Sequence, residues 1–180
     1  MPRIHLIERT LKVLSVDPNE VQRTESHAFR EAKKRLRQDG HYTCYVCGMT
    51  EAEAKAKGYA IESHHFGCEW QYADIVDFQK LKTFLLQHDI YGYSRLLQHQ
   101  PLTTVDDVRN QMALCTPHHR LADKAVGGAG LGAHDVDAPT WTIQIVCKDG
   151  MNPVPQEGET AEQAVQRIEE ALREEQGAQA

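Results

Sequence analysis

The chain has 180 residues, 41% of them hydrophobic and 26% charged, which is enough apolar material for one globular domain with extensions. A formal net charge of −6 excludes a protein that coats nucleic acid through bulk positive charge. No apolar run approaches the length of a membrane span, and Met1-Pro2-Arg3-Ile4-His5 is not followed by a signal-peptide core, so a cytoplasmic chain with no membrane partner is expected.

Residues 4–16 mix Ile4, Leu6, Ile7, Leu11, Val13, Leu14 and Val16 with polar positions, a partial alternation that predicts a strand or strand pair. Asp17-Pro18-Asn19 is a turn signal, and Glu20 to Gln38 predicts a helix with Val21, Ala28, Phe29, Ala32 and Leu36 near one face. Asp39-Gly40 ends it. Lys33, Lys34, Arg35 and Arg37 make its last turns basic, which fits either a solvated helix face or a contact to nucleic-acid phosphates.

His41 to Gly48 contains Cys44-x-x-Cys47 closed by a glycine, the pattern of a zinc knuckle. A short helix over 51–58 and a strand carrying Ile61-Glu62-Ser63-His64-His65-Phe66-Gly67 follow. Strand side chains alternate faces, so both imidazoles reach one site only if the strand end bends, which Gly67 makes easy. Two ring nitrogens at one place suggest a metal ligand beside a general base, whereas a surface His-His pair is the plain alternative. Residues 68–109 read as a helical insertion, with Ile75, Phe78, Leu81, Leu85 and Leu86 at helical spacing between Asp74 and His88; it is expected to pack on the core or shape access, and no chemistry is legible in it. Asn110 to Cys115 predicts a second strand, Thr116-Pro117 starts a helix with His118, His119 and Asp123, and Trp141 to Val146 alternates as a strand does. The glycine-rich stretch 126–132 lacks the lysine and setting of a phosphate-binding loop. After a linker over 151–159, Thr160-x-x-Gln163 opens an amphipathic helix with Val165, Ile168 and Leu172 on one stripe and an acidic opposite face, suited to docking on the body or on a protein partner. Residues 149–180 hold eight acids and two arginines, so the charge of the whole chain resides in this tail and the remainder is neutral.

The chain has five cysteines and ten histidines. Cys44/Cys47 and Cys115/His118 are two pairs, each with two intervening residues, as a tetrahedral structural zinc requires. A redox role for Cys44 and Cys47 would need a thioredoxin-like βαβ setting, which is absent from the pattern. Cys68 and Cys147 are left over as buried small side chains, with Cys68 near enough to His65 in sequence to be an extra ligand.

The order Cys-x-x-Cys, Glu-x-His-His, Asn, Leu-Cys-x-x-His-His over residues 41–147 resembles the HNH endonuclease family with its ββα-metal fold. The Cys115-x-x-His118 variant, Gly132-Ala133-His134 and Pro139-x-Trp141 are similar to phage-encoded members, which would place the protein in a host cytoplasm. The resemblance implies an α+β protein with a zinc-stabilised core over 41–147 and its helical insertion at 68–109; outside that core, the residue pattern adds an N-terminal strand and helix extension over 1–40 and a linker and acidic amphipathic helix over 148–180. It further implies that His65 is the general base, that His64 and His119 hold one divalent cation on the scissile phosphate, and that Asn110 braces the loop and orients His65. Asp123, four residues after His119 on the expected helix, is a third ligand on that pattern. Such a His/Asp set suits Mg2+, Mn2+, Ni2+ or Zn2+. A metal-dependent DNA endonuclease or nickase is therefore expected. A non-catalytic zinc-stabilised interaction module, in phage assembly or in countering a host system, is the competing reading, and a toxin nuclease would share the first reading's chemistry.

Overall fold

The computed structural model describes residues 24–120 and 140–178. The strand expected over 4–16, the start of the first helix, the glycine-rich stretch and Asp123 lie outside them. Helix α1 (His27–Gln38) begins where Ser26, in an extended conformation, accepts a hydrogen bond from Phe29 N. Phe29, Ala32 and Leu36 form its buried face. The knuckle follows: Gly48 N donates to Cys44 O at 2.7 Å and Cys44 N to Met49 O at 2.8 Å. Gly48 supports this turn with φ +72°, a conformation that disfavours any side chain. Helix α2 (Glu51–Ala56) is opened by a Thr50–Glu53 capping box.

Strands β1 (Ile61–His65) and β2 (Gln111–Cys115) form a two-stranded antiparallel sheet in which Ile61 faces Cys115 and His65 faces Gln111. Helix α5 (Thr116–His119) follows β2 directly. Between the strands run a 3-10 turn at Trp70–Tyr72, α3 (Phe78–Gln87), α4 (Tyr93–Leu96) and a second 3-10 turn at Val108–Asn110. Helix α3 starts later than its apolar spacing predicts because the Asp77 side chain caps it, accepting from Gln79 N and Lys80 N. Ile75 is buried from the preceding turn instead.

Residues 140–146 are helix α6 (Thr140–Val146), not the strand their alternation predicts. Ile143 and Val146 are fully buried while Ile145 is 58% exposed, a three-residue spacing that only a helix places on one side. An isolated bridge from Cys147 to Val76 attaches its end to the insertion. Helix α7 (Ala161–Ala178) starts with the expected capping pair, Gln163 N donating to Thr160 Oγ1 and Thr160 N to Gln163 Oε1. It docks through Ala164 and Ile168, with Val165 at the edge of the stripe.

Apolar contacts divide into two clusters. Leu36, Tyr42, Ala54, Ile61, Tyr93 and Leu114 gather around the hairpin and the knuckle. Tyr72, Leu81, Leu85, Val105, Ile143 and Ile168 join the insertion to α6 and α7. The insertion and the C-terminal helix therefore share one core. Among the described residues no helix is long and apolar enough to cross a membrane. Ile168→Ala should lower unfolding free energy by about 2–4 kcal/mol in a denaturant titration, since the cavity opens at the point where α7 meets this core.

Candidate metal centre and histidine site

Cys44, Cys47, Cys115 and His118 converge so that one donor atom from each lies within 4.8 Å of the others. Cys47 Sγ is 3.9 Å from Cys115 Sγ, and His118 Nδ1 is 3.4 Å from Cys44 Sγ and 3.2 Å from Cys115 Sγ. A tetrahedral zinc ion would separate two thiolates by about 3.8 Å and a thiolate from an imidazole nitrogen by about 3.6 Å. The group fits and could hold a metal such as zinc. The knuckle turn supplies one pair; the end of β2 and the first turn of α5 supply the other, joined by a bond from Tyr45 N to Ala113 O.

The two inner sulfurs differ. Burial opposes ionisation of Cys44, yet hydrogen bonds from backbone amides at Cys115, Cys47 and Val46 outweigh it and hold this thiol below its ordinary pKa. Burial pushes the Cys115 thiol up, and the Cys44 sulfur beside it adds to the shift. Cys68 is buried in the insertion core with its thiol also pushed up by burial, and its Sγ donates to Glu69 O. It stands as a core side chain. Cys147 likewise belongs to that core.

His64 and His65 do come to one place, though not through the conformational freedom of Gly67. A Cβ at Gly67 would meet Phe84 and Leu85 atoms at 3.1 Å, so glycine serves here for the close approach of α3. What joins the two rings is Glu69, just beyond the strand. Its Oε1 lies 3.2 Å from His64 Nε2 and its Oε2 lies 3.2 Å from His65 Nδ1. On the far side of the ring, His65 Nε2 is 2.8 Å from Asp106 Oδ1. Asp106 Oδ2 accepts in turn from Ser26 Oγ at 2.6 Å, and the Phe29 ring stands 5.5 Å from that of His65. Helix α1 is thus tied by its cap to the histidine site.

His119, from α5, packs against His64 with ring centroids 5.2 Å apart. Two imidazoles on adjacent positions of one ion would stand about 5 Å apart, given metal–nitrogen bonds of about 2.1 Å. His119 Nδ1 is bonded to Glu62 Oε2, which also accepts from Arg120 Nε at 3.1 Å. A carboxylate on the second ring nitrogen is the usual companion of a metal-ligating histidine, because it fixes the tautomer and aims the other nitrogen.

Asn110 is fully buried, and its side chain is spent on the backbone. Oδ1 accepts from Gly67 N at 2.7 Å and Cys68 N at 3.2 Å; Nδ2 donates to Cys68 O and Val105 O at 2.8 Å each. It braces the loop, whereas the side-chain contacts on the His65 ring nitrogens come from Glu69 and Asp106.

The basic face of α1 divides. Lys33 and Arg37, one turn apart, line a cleft of about 360 Å3 together with Tyr42, Glu62, His119 and Arg120. Arg35 lies on another side beneath Tyr93, and Lys34 points to solvent. Every one of these cations has an acidic companion: Lys33 with Glu25, Lys34 with Glu31, Arg35 with Asp39 and Arg37 with Glu51.

Glu62, Glu69 and Asp106 had no assigned role in the sequence. Glu62 was legible, since a residue two before His64 shares its face of a strand. Glu69 and Asp106 were not: they belong to the insertion, which brings both carboxylates against the histidine rings. Among known proteins, no family model, curated protein or solved structure matches this chain.

Purified protein is expected to carry about one zinc per chain by elemental analysis, and Cys115→Ser should lose it and lower the melting temperature. Because loading must displace the proton that burial keeps on Cys115, zinc affinity should weaken as pH falls, with proton release on binding visible in calorimetry in two buffers.

Proposed function

We propose that the chain is a cation-dependent endonuclease or nickase of the HNH type, acting on DNA phosphodiesters, with the Cys44/Cys47/Cys115/His118 group as a structural zinc site. The observation that carries this reading is the meeting of His64, His65 and His119 at the junction of one hairpin and one short helix, with His64 and His119 rings 5.2 Å apart. Three histidines and their carboxylates exceed what a structural zinc needs.

A divalent cation held by His64 and His119 would, when bound, neutralise the phosphate and stabilise the departing oxygen. Glu62 keeps His119 Nδ1 engaged and so turns Nε2 inward. His65 takes the proton of the attacking water; an imidazole has the basicity for that at neutral pH. The Glu69 carboxylate, against both His64 and His65, marks where oxygen atoms can be accommodated between ligand and base. Lys33, Arg37 and Arg120 face the adjoining cleft and suit the phosphates that flank the cut.

The exposed Tyr45 and Val46 on the knuckle, 53% and 62% accessible, favour the second reading of a non-catalytic module that meets a protein partner. The two readings part in one assay. His65→Ala should abolish divalent-dependent nicking of plasmid DNA, a loss of at least about 10²-fold, with zinc content and melting temperature retained. Nicking that survives this change would remove His65 as the base. Absence of nicking by the wild type with any divalent ion would favour the module.

The cleft makes a separate prediction. Lys33→Ala with Arg37→Ala should weaken DNA binding and lower the slope of log affinity against log salt by about 1–2, as read by fluorescence anisotropy. Lys34→Ala with Arg35→Ala should change both far less.

A further inference from the structure

We propose that Asp106, brought in by the insertion, is the positioning residue for the His65 base: its Oδ1 accepts a hydrogen bond from Nε2–H and leaves the Nδ1 lone pair for the proton of water. The chemical role rests on the nuclease reading above; the arrangement itself rests on geometry alone. His65 Nε2 and Asp106 Oδ1 are 2.8 Å apart, and the two side chains are only 3% and 4% exposed, so water does not compete for the contact. Asp106 is held in turn at three points. Ser26 Oγ donates to its Oδ2 at 2.6 Å, its own backbone N donates to Thr104 Oγ1 at 3.2 Å, and Val105 O next to it is bound by Asn110 Nδ2 at 2.8 Å. The Phe29 ring closes one side of the imidazole.

This arrangement decides which nitrogen does the work. A neutral imidazole carries one N–H and one lone pair, and the nitrogen that donates to a fixed acceptor leaves the other as the base. An ionised carboxylate only accepts, so Asp106 selects the Nε2–H form. Glu69 Oε2 competes for a proton on Nδ1 from 3.2 Å, but the Asp106 contact is shorter at 2.8 Å and its carboxylate more buried, 4% exposed against 14%, so Nε2 keeps the proton and Nδ1 is the nitrogen that gives it up. Asn110 is not placed for the same task, since its amide is committed to the backbone of residues 67, 68 and 105. An amide in place of Asp106 would keep the shape yet could donate to Nε2, which moves the proton to Nδ1 and aims the lone pair the wrong way.

The test uses the full-length, zinc-loaded chain with nitrogen-15 histidines and Mg2+ present, with the His65 signals assigned by their loss in His65→Ala. At about pH 8 the wild type should show His65 protonated on Nε2 and bare on Nδ1. A proton on Nδ1 would overturn the proposal. In plasmid nicking, Asp106→Asn should lower kcat roughly 10²–10⁴-fold with KM within about twofold, and with zinc content and melting temperature unchanged. A kcat within about threefold of wild type would equally overturn it, as would a loss confined to KM and thermal stability. Should Asp106→Asn not fold, Ser26→Ala takes its place: it frees one oxygen of Asp106 and should give a smaller fall in kcat at constant KM. A wild type that nicks nothing would sink the nuclease reading, and the protonation pattern of His65 would still decide whether Asp106 sets the tautomer.

Discussion

One buried amide carries the arrangement of this molecule. Asn110 joins the exit of β1 to the entry of β2 through four side-chain hydrogen bonds to backbone groups of residues 67, 68 and 105. Its own backbone takes part too, with Phe66 N donating to Asn110 O at 2.8 Å. Only an amide presents both donors and acceptors in that span; a carboxylate could not donate and an apolar side chain would leave the loop's amides unsatisfied, at about 1–3 kcal/mol each. His64 and His65 stand just before one braced end, Glu69 just after it, and Asp106 beside the other. Their mutual distances are consequences of this brace.

The histidine site also lies on the seam between the two apolar clusters. The hairpin and the knuckle belong to the first, and Glu69 and Asp106 follow directly on Cys68 and Val105 of the second. Neither half alone could assemble the site. The insertion is therefore an integral half of the protein, closed by α6 and α7, and α1 spans the seam through Ser26 and Phe29. The four metal-ligand candidates Cys44, Cys47, Cys115 and His118 anchor the opposite end of the hairpin, so β1 and β2 are held at both ends.

The electrostatics follow from the same geometry. An acidic chain can still receive an anionic substrate if its cations are local and its acids are engaged. Lys33, Arg37 and Arg120 share one cleft with His119, while Glu25, Glu51 and Glu62 partner them. Such pairs are individually worth little at the surface. The acidic surplus sits in residues 149–180, most of them on α7, which docks on the insertion core.

Short-range spacing was sufficient to identify the two candidate ligand pairs, both strands of the hairpin and the capping signal of α7, because each is a property of residues within a few positions of one another, whereas the bracing role of Asn110 came from the resemblance in motif order. It also grouped Lys33, Lys34, Arg35 and Arg37 by sequence, although helical geometry sends only Lys33 and Arg37 to the cleft. It misread 141–146 as a strand: an apolar residue at every second or third place fits both periods, and the outcome depended on a partner, the insertion core, that lies far away in the chain. Glu69 and Asp106 were illegible for a related reason. An acidic residue in a polar loop looks like any other solvated charge until packing of distant segments buries it against an imidazole, and that packing is a property of the assembled fold.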